Sequence, residues 1–233
     1  MSVILDDRNR YRECPFFENI SKLVIHQKNE ILKKAIFYFL SKKYNEAQDY
    51  LLATYPEFSL NEDSNALLLM GHIQLKLHQL DSAIEYFRQS LKMTEKNVFF
   101  INDSLALIYF YKNDYSLAIR YVEDARDFSE QNFYFHLHLG LYHEAILQKK
   151  LEGTKKDDDE KRVEIEELSK KTKEHYNAAL KINPDSYNAL LNLGNINAAE
   201  GYFALAENFY KKALDLNEDD WKINFNLACL YMK

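Results

Sequence analysis

The stretch YNALLNLGNINAAEGYFALAENFYKKALDLNED, residues 187–219, decides the fold of this 233-residue chain. Its few glycines and its alanines stand at particular places among larger apolar residues. A second stretch, SNALLLMGHIQLKLHQLDSAIEYFRQSLKMTEKN, residues 64–97, repeats the arrangement, with Gly71 in the place of Gly194. Self-similarity at a fixed spacing indicates a repeat protein.

The register of these two stretches continues along most of the chain. Its eighth position is always small: Ala35, Gly71, Ala106, Gly140, Gly194 and Ala228. So are its twentieth position (Ala47, Ala83, Ala118, Thr172 and Ala206) and its twenty-seventh (Thr54, Ser90, Ala125, Ala179 and Ala213). The step is 34 to 36 residues, apart from one step of 54 that contains an insertion of 20. We expect two helices per unit to approach closely at positions 8 and 20, and successive units to stack.

A helix–turn–helix unit of 34 residues with small residues at positions 8, 20 and 27 resembles the tetratricopeptide repeat family. The resemblance covers about residues 28–233, although the aromatic residue that the family favours at position 4 is missing and its proline survives only as Pro184. It implies an all-α protein, a right-handed α-solenoid of about five stacked units and a final unpaired helix. It also implies a protein-binding scaffold.

Composition agrees with an all-α chain, because 5 glycines and 3 prolines leave little turn chemistry for hairpins. The formal net charge of -6 does not favour nucleic acid or an anionic membrane. We see no stretch long enough to span a membrane and no signal-peptide core in MSVILDDRNR. Two distant cysteines, Cys14 and Cys229, are typical of a reducing compartment, so we expect a cytoplasmic protein. The family resemblance implies the cilium as a more specific alternative.

We divide the chain into a lead-in with a capping helix, a repeat array and a last helix. The bounds are 1–27 for the lead-in, 28–61, 64–97, 99–132, 133–186 and 187–220 for the units, and 221–233 for the last helix. The last helix is the first helix of a further unit or a cap. An apolar face of this helix would be left exposed, which favours a protein that continues beyond it.

The insertion at about 149–173 is rich in charge, and Asp157, Asp158 and Asp159 favour the start of a helix. We expect a projecting helical hairpin. Two interpretations stay open, a solvated spacer and a docking element for a second partner.

Nothing in the sequence indicates catalysis, a cofactor or a metal. His136 and His143 lie two turns apart on one helix, about 10 Å, which is too far to share a metal ion. There is no Cys-x-x-Cys, phosphate loop or nucleophile elbow. We therefore expect a non-enzymatic protein.

The family's partner-binding groove is lined by first-helix positions, which the resemblance carries over to this chain. Together with two aromatic residues near them, the predicted groove residues are Phe100, Phe110, Tyr111, Tyr134, His138, Asn188, Asn192, Asn195, Lys222 and Asn226. The aromatic residues would anchor a partner, and the asparagines would hydrogen-bond an extended backbone. The alternative for the asparagines is solvated surface and helix capping. A carboxylate clamp, known in this family, fits poorly, because only Asn192 and Lys222 match it.

Three functions stay open at this point. The first is a scaffold that binds an extended peptide or a helix of a protein partner in its groove. The second is a structural subunit of a large eukaryotic assembly, of the ciliary, axonemal, intraflagellar transport or anaphase-promoting type, with self-association or complex formation through the C-terminal helix. The third is the regulatory part of a longer enzyme.

Overall fold

A computed structural model describes residues 30–55, 62–94, 97–126, 131–153 and 159–232. Within these ranges there are eleven α-helices and no strand, so the prediction of an all-α repeat fold is confirmed. The helices are α1 Glu30–Leu40, α2 Tyr44–Thr54, α3 Ser64–Lys76, α4 Leu80–Met93, α5 Val98–Tyr111, α6 Tyr115–Glu123, α7 Phe133–Gly153, α8 Asp159–Ile182, α9 Tyr187–Ala199, α10 Phe203–Leu216 and α11 Trp221–Tyr231. The predicted lead-in, 1–27, lies outside the described residues.

The described helices form two compact units, an N-terminal unit of α1–α6 and a C-terminal unit of α7–α11. In both, each odd-numbered helix packs against the helix that follows it, except that α11 packs back against α10 and α9. We call the odd-numbered helices first helices and their followers second helices.

Several helix starts are fixed by side chains that the sequence supplies at the right place. Asp63 accepts hydrogen bonds from the backbone amides of residues 65 and 66, at 2.9 and 3.2 Å, and so caps α3. Ser186 caps α9 and Asp220 caps α11 in the same manner. These caps satisfy amide groups that the first turn of a helix leaves without partners.

The turn between the first and the second helix is the same in four helix pairs. One residue takes the left-handed conformation: Lys42, His78, Asn113 or Gly201, with φ between 59° and 86°. The amide of the next residue donates to a carbonyl five residues back, as Gln79 does to Gln74 at 2.9 Å. This is a Schellman-type helix end, for which glycine is the usual residue.

Position 8 is covered by the residue at position 24 of the same unit. A Cβ atom added to Gly71, Gly140 or Gly194 would lie 2.5–2.6 Å from a ring carbon of Phe87, Tyr176 or Tyr210, respectively. At position 8 of these three units, the missing side chain leaves room for an aromatic ring of the second helix. We call these three helix pairs Gly-type pairs.

Two helix pairs have alanine at position 8, and we call them Ala-type pairs. Ala35 is in the α1–α2 pair and Ala106 in the α5–α6 pair, and both are completely buried. Their position 24 holds an aliphatic residue, Leu51 or Val122, which is also completely buried. The sizes at the two positions are therefore complementary: glycine meets a ring, and alanine accompanies a branched aliphatic side chain.

The insertion lengthens the fourth helix pair. α7 has 21 residues and α8 has 24, against 9 to 14 in the other helices. Lys150 of α7 and Glu164 of α8 form an ion pair of 2.7 Å between the extensions. Of the three aspartates, Asp159 begins α8, whereas Asp157 and Asp158 lie outside the described residues.

Candidate functional site

The predicted groove residues are divided between the two units. Phe100, Phe110 and Tyr111 belong to the N-terminal unit, and the seven others belong to the C-terminal unit.

The three predicted groove residues of the N-terminal unit do not form one continuous patch. Phe100 and Tyr111 lie on the same side of α5 but about 16 Å apart along its axis. The ring of Phe110 packs on Tyr115 of α6 at a centroid distance of 5.3 Å and meets the edge of Tyr111 at 6.4 Å, so Phe100 is the residue that lies apart. Tyr111 is 48% exposed, which makes it the most accessible of the three.

In the C-terminal unit, Tyr134 and His138 belong to a row of rings along α7. Tyr134 lies 6.1 Å from His138, and His138 lies 6.1 Å from Tyr142, between ring centroids. His138 and Tyr142 are buried, whereas Tyr134 is half-buried. The end of the row at Tyr134 is therefore the part that a partner could reach.

Asn192 is part of a buried chain of hydrogen bonds through three helices. Its amide nitrogen donates to the hydroxyl of Tyr176 on α8 at 3.0 Å. That hydroxyl donates to the carboxylate of Glu144 on α7 at 2.5 Å. All three residues are buried, so the chain joins α7, α8 and α9 where water is excluded.

Asn195 and Asn226 belong to a second network, in which Asn195 and Tyr210 are buried and Asn226 is half-buried. The hydroxyl of Tyr210 on α10 donates to the amide oxygen of Asn195 on α9 at 2.9 Å, and the amide nitrogen of Asn226 on α11 donates to the same oxygen at 3.0 Å. Burial raises the pKa of Tyr210, so its hydroxyl keeps the proton that it donates. One amide thus links α9, α10 and α11.

These contacts show that asparagines predicted to meet a partner also hold helices together. Their partners Glu144, Tyr176 and Tyr210 are not among the residues predicted from the sequence. The signal for the two tyrosines was present, because each occupies position 24 in a unit with glycine at position 8. Of the remaining predicted residues, Asn188 is buried at the start of α9, and Lys222 is half-buried, its ammonium 6.0 Å from the Trp221 ring centroid.

A further repeated contact joins position 11 of a first helix to position 23 of the second. It consists of Tyr38 and Tyr50 in the first pair, at 5.8 Å, and Tyr109 and Tyr121 in the third, at 5.3 Å. In the fourth pair the same two positions hold His143 and His175, whose rings stack at 5.5 Å. The contact is therefore part of the repeat.

The pKa of His143 is strongly lowered in the folded chain. Burial, followed by the charges of His175 and Lys171, lowers the pKa of His143 from 6.5 to about 4. His136 Nδ1 lies 3.4 Å from His175 Nδ1. Among the described residues, no group of three or more His, Cys, Asp or Glu side chains is arranged to hold a metal ion.

None of the described helices combines the length and the apolar composition that crossing a membrane requires.

Comparison with known proteins supports the repeat assignment. A family model described as Tetratricopeptide repeat matches residues 64–97 and 187–220, which contain the α3–α4 and α9–α10 pairs. A search of curated proteins gave no match.

Solved structures with a similar fold include two of MamA and one of TTC0263. MamA 41-end from Desulfovibrio magneticus RS-1 is 17% identical, covering 87% of this chain and 98% of its own, with a TM-score of 0.62. A MamA RS-1 ArsTM double mutant is 18% identical over 86% and 96%, with a TM-score of 0.61. TTC0263, a thermophilic TPR protein in Thermus thermophilus, is 19% identical over 73% and 82%, with a TM-score of 0.55. At this identity the similarity establishes the fold alone.

Proposed function

Because this chain is a tetratricopeptide repeat protein, we propose that it is a non-enzymatic scaffold that binds an extended peptide or a helix of a partner protein. The binding surface is the first-helix face of the C-terminal unit, which we define by Tyr134, His138, Asn188, Asn192, Asn195, Lys222 and Asn226.

The observation that carries this proposal is the pair of buried networks through Asn192 and Asn195. They join α7 to α8, α8 to α9, α9 to α10 and α9 to α11 through hydrogen bonds that are buried, apart from the half-buried side chain of Asn226. A surface held in this manner loses little conformational freedom when a partner binds, which favours affinity.

The structure also suggests which residues of the face would contact the partner. Tyr134 offers a half-buried ring, and Lys222 offers a cation on α11. Asn188 has no side-chain hydrogen bond to the described part of the chain in this structure, whereas Asn192 and Asn226 are engaged. Asn192 is one of only two residues that match a carboxylate clamp, so its engagement with Tyr176 favours recognition of a peptide backbone over a terminal carboxylate.

The test is capture of a partner from lysate, followed by binding of the purified, identified partner. The variant Tyr134→Ala/Asn188→Ala/Lys222→Ala is expected to weaken binding at least tenfold, which is about 1.4 kcal/mol. Tyr111→Ala, an exposed aromatic of the N-terminal unit, is the matched control and should bind normally. Equal binding by the triple variant, with an unchanged melting temperature, would remove the first-helix face as the site.

A second candidate function, a structural subunit of a larger assembly, is supported by α11. Trp221 and Phe225 on this helix are 61% and 51% exposed, and Met232, which follows it, is 76% exposed. Exposed apolar side chains on one face are typical of a docking surface. Sedimentation velocity at high concentration tests self-association through this helix, which would appear as a dimer that Phe225→Lys dissociates.

The ciliary, axonemal, intraflagellar transport and anaphase-promoting alternatives, a role within a longer enzyme, and the cytoplasmic location all stay predictions from the sequence.

A further inference from the structure

The last helix, α11, has one face that packs and one that is open. Ile223 and Leu227 are buried in the core cluster that α9 and α10 build. The opposite side carries exposed residues at helical spacing: Trp221, Asn224, Phe225, Ala228, Tyr231 and Met232. In α9 the residues equivalent to Asn224, Ala228 and Tyr231, which are Leu190, Gly194 and Asn197, are all buried. The open face is therefore the one that a second helix covers in the complete pairs.

The sequence of α11 shows which kind of second helix its open face fits. Positions 8 to 11 read AIFY in α1, ALIY in α5 and ACLY in α11. The Gly-type first helices read GHIQ, GLYH and GNIN at the same positions. Both alanine and tyrosine are thus shared by α11 with the Ala-type helices, and neither is shared with the Gly-type helices.

The second helices of the Ala-type pairs are equally alike. Positions 20 to 24 read AQDYL in α2 and AIRYV in α6. In each, the alanine is completely buried, the tyrosine packs on the first helix's position 11 tyrosine, and the aliphatic residue is buried. The second helices of the Gly-type pairs read AIEYF, TKEHY and AENFY, which end on the ring that fills the space above glycine.

We propose that the open face of α11 binds a helix of a partner protein that carries the pattern Ala-x-x-Tyr followed by Leu or Val. The partner's alanine lies against the helix crossing, its tyrosine stacks on Tyr231, and its aliphatic residue packs beside Ala228. A phenylalanine or tyrosine in place of the aliphatic residue is rejected, because the methyl group of Ala228 occupies the space into which a ring enters in the Gly-type pairs. This inference rests on the second candidate function, a subunit docked through α11, and does not involve the first-helix face.

The experiment uses the whole chain and two synthetic peptides, held helical by a lactam bridge on their outward side because short helices are marginal in water. One has the sequence of residues 113–126, NDYSLAIRYVEDAR, and the other differs only by phenylalanine at the position of Val122. Neither contains tryptophan, so Trp221, the only tryptophan of the chain, reports binding by its fluorescence.

We expect the first peptide to bind at least about tenfold more tightly than the phenylalanine peptide, which corresponds to about 1.4 kcal/mol. In the variant Ala228→Gly/Tyr231→Asn, which gives α11 the Gly-type residues, the preference should be reversed. Phe225→Lys should abolish binding of both peptides, whereas Tyr134→Ala on the first-helix face should change neither.

The outcomes separate the inference from the function on which it rests. Equal binding of the two peptides, or a preference that the double variant does not change, overturns the inference and leaves docking through α11 standing. Absence of binding by either peptide, with Trp221 fluorescence independent of chain concentration, overturns both. A Trp221 signal that depends on chain concentration without peptide shows a second copy on the face, and it overturns the proposed partner helix.

Discussion

The helices α9 and α11 occupy equivalent places in successive units, and they differ in what lies against their eighth position. Gly194 of α9 lies under the ring of Tyr210, whereas Ala228 of α11 is exposed. One sequence pattern therefore serves both as an internal packing surface and as an open surface. We therefore expect a larger residue at position 8 to be tolerated in α11 and not in α9.

The comparison is tested most strongly by placing the same residue at both sites. Gly194→Val forces a branched side chain into space that the Tyr210 ring occupies, and we expect a loss of about 3 kcal/mol in the free energy of unfolding. Ala228→Val meets no covering helix and should cost less than about 1 kcal/mol, from helix propensity alone. Urea denaturation of the two variants measures both values. Equal losses would show that the ring above Gly194 does not restrict the site.

The next prediction compares the α7–α8 pair, which has histidine at positions 11 and 23, with the pairs that have tyrosine there. Because the pKa of His143 is lowered to about 4, the unfolded chain holds more protons at this residue than the folded chain does between about pH 4 and 6.5. The free energy of unfolding should therefore fall as the pH falls through that window, by about 2 kcal/mol after allowance for partial exposure.

The neutral variant His143→Gln should remove this part of the pH dependence, since glutamine does not titrate. Unfolding curves at pH 7 and at pH 4.5 for both proteins give the difference. An equal pH dependence in the two proteins would exclude His143 as its source.

The two buried networks give a smaller contrast. Tyr176 donates to the carboxylate of Glu144, whereas Tyr210 donates to the neutral amide of Asn195. The first bond is 2.5 Å long and the second 2.9 Å, and a carboxylate that keeps its charge accepts a stronger hydrogen bond than a neutral amide does. Tyr176→Phe should therefore cost about 2 kcal/mol and Tyr210→Phe about 1 kcal/mol. Thermal melts of both variants check the order, and a larger loss for Tyr210→Phe would reverse the assignment of the stronger bond.

Much of this fold could be predicted from the sequence, because small residues recur at positions that contact another helix in every unit. The candidate site could be predicted less well. The helix faces of Asn192 and Asn195 were assigned from the family's groove, but their amides meet tyrosines that stand 15 or 16 residues away in the chain. Register alone does not show which hydroxyl reaches which amide, since that depends on the crossing of three helices.

Because of the insertion, the contact between His143 and His175 could not be predicted from local spacing. The insertion separates His143 from His175 by 32 residues, whereas Tyr38 and Tyr50 are separated by 12. Helical spacing along the chain therefore brings His136 and His143 together on one helix but does not bring His175 to them. Aligning position 23 across the units would have shown that His175 occupies the place of Tyr50 and Tyr121, next to position 11 of its own unit.

The smallest predicted effect concerns the turn after the first helix, where α3 and α9 again differ. His78 and Gly201 both have positive φ, 60° and 86°, and both form the same helix end. A residue with a Cβ atom is strained in the left-handed conformation, whereas glycine adopts it without a steric cost. His78→Gly should therefore stabilise the chain by about 0.5–1 kcal/mol, and Gly201→Ala should destabilise it by a similar amount. Gly201 has open space around its Cβ position, so backbone conformation alone is tested. Denaturation midpoints that move in the same direction for both variants would show that the turn's conformation is not what limits its stability.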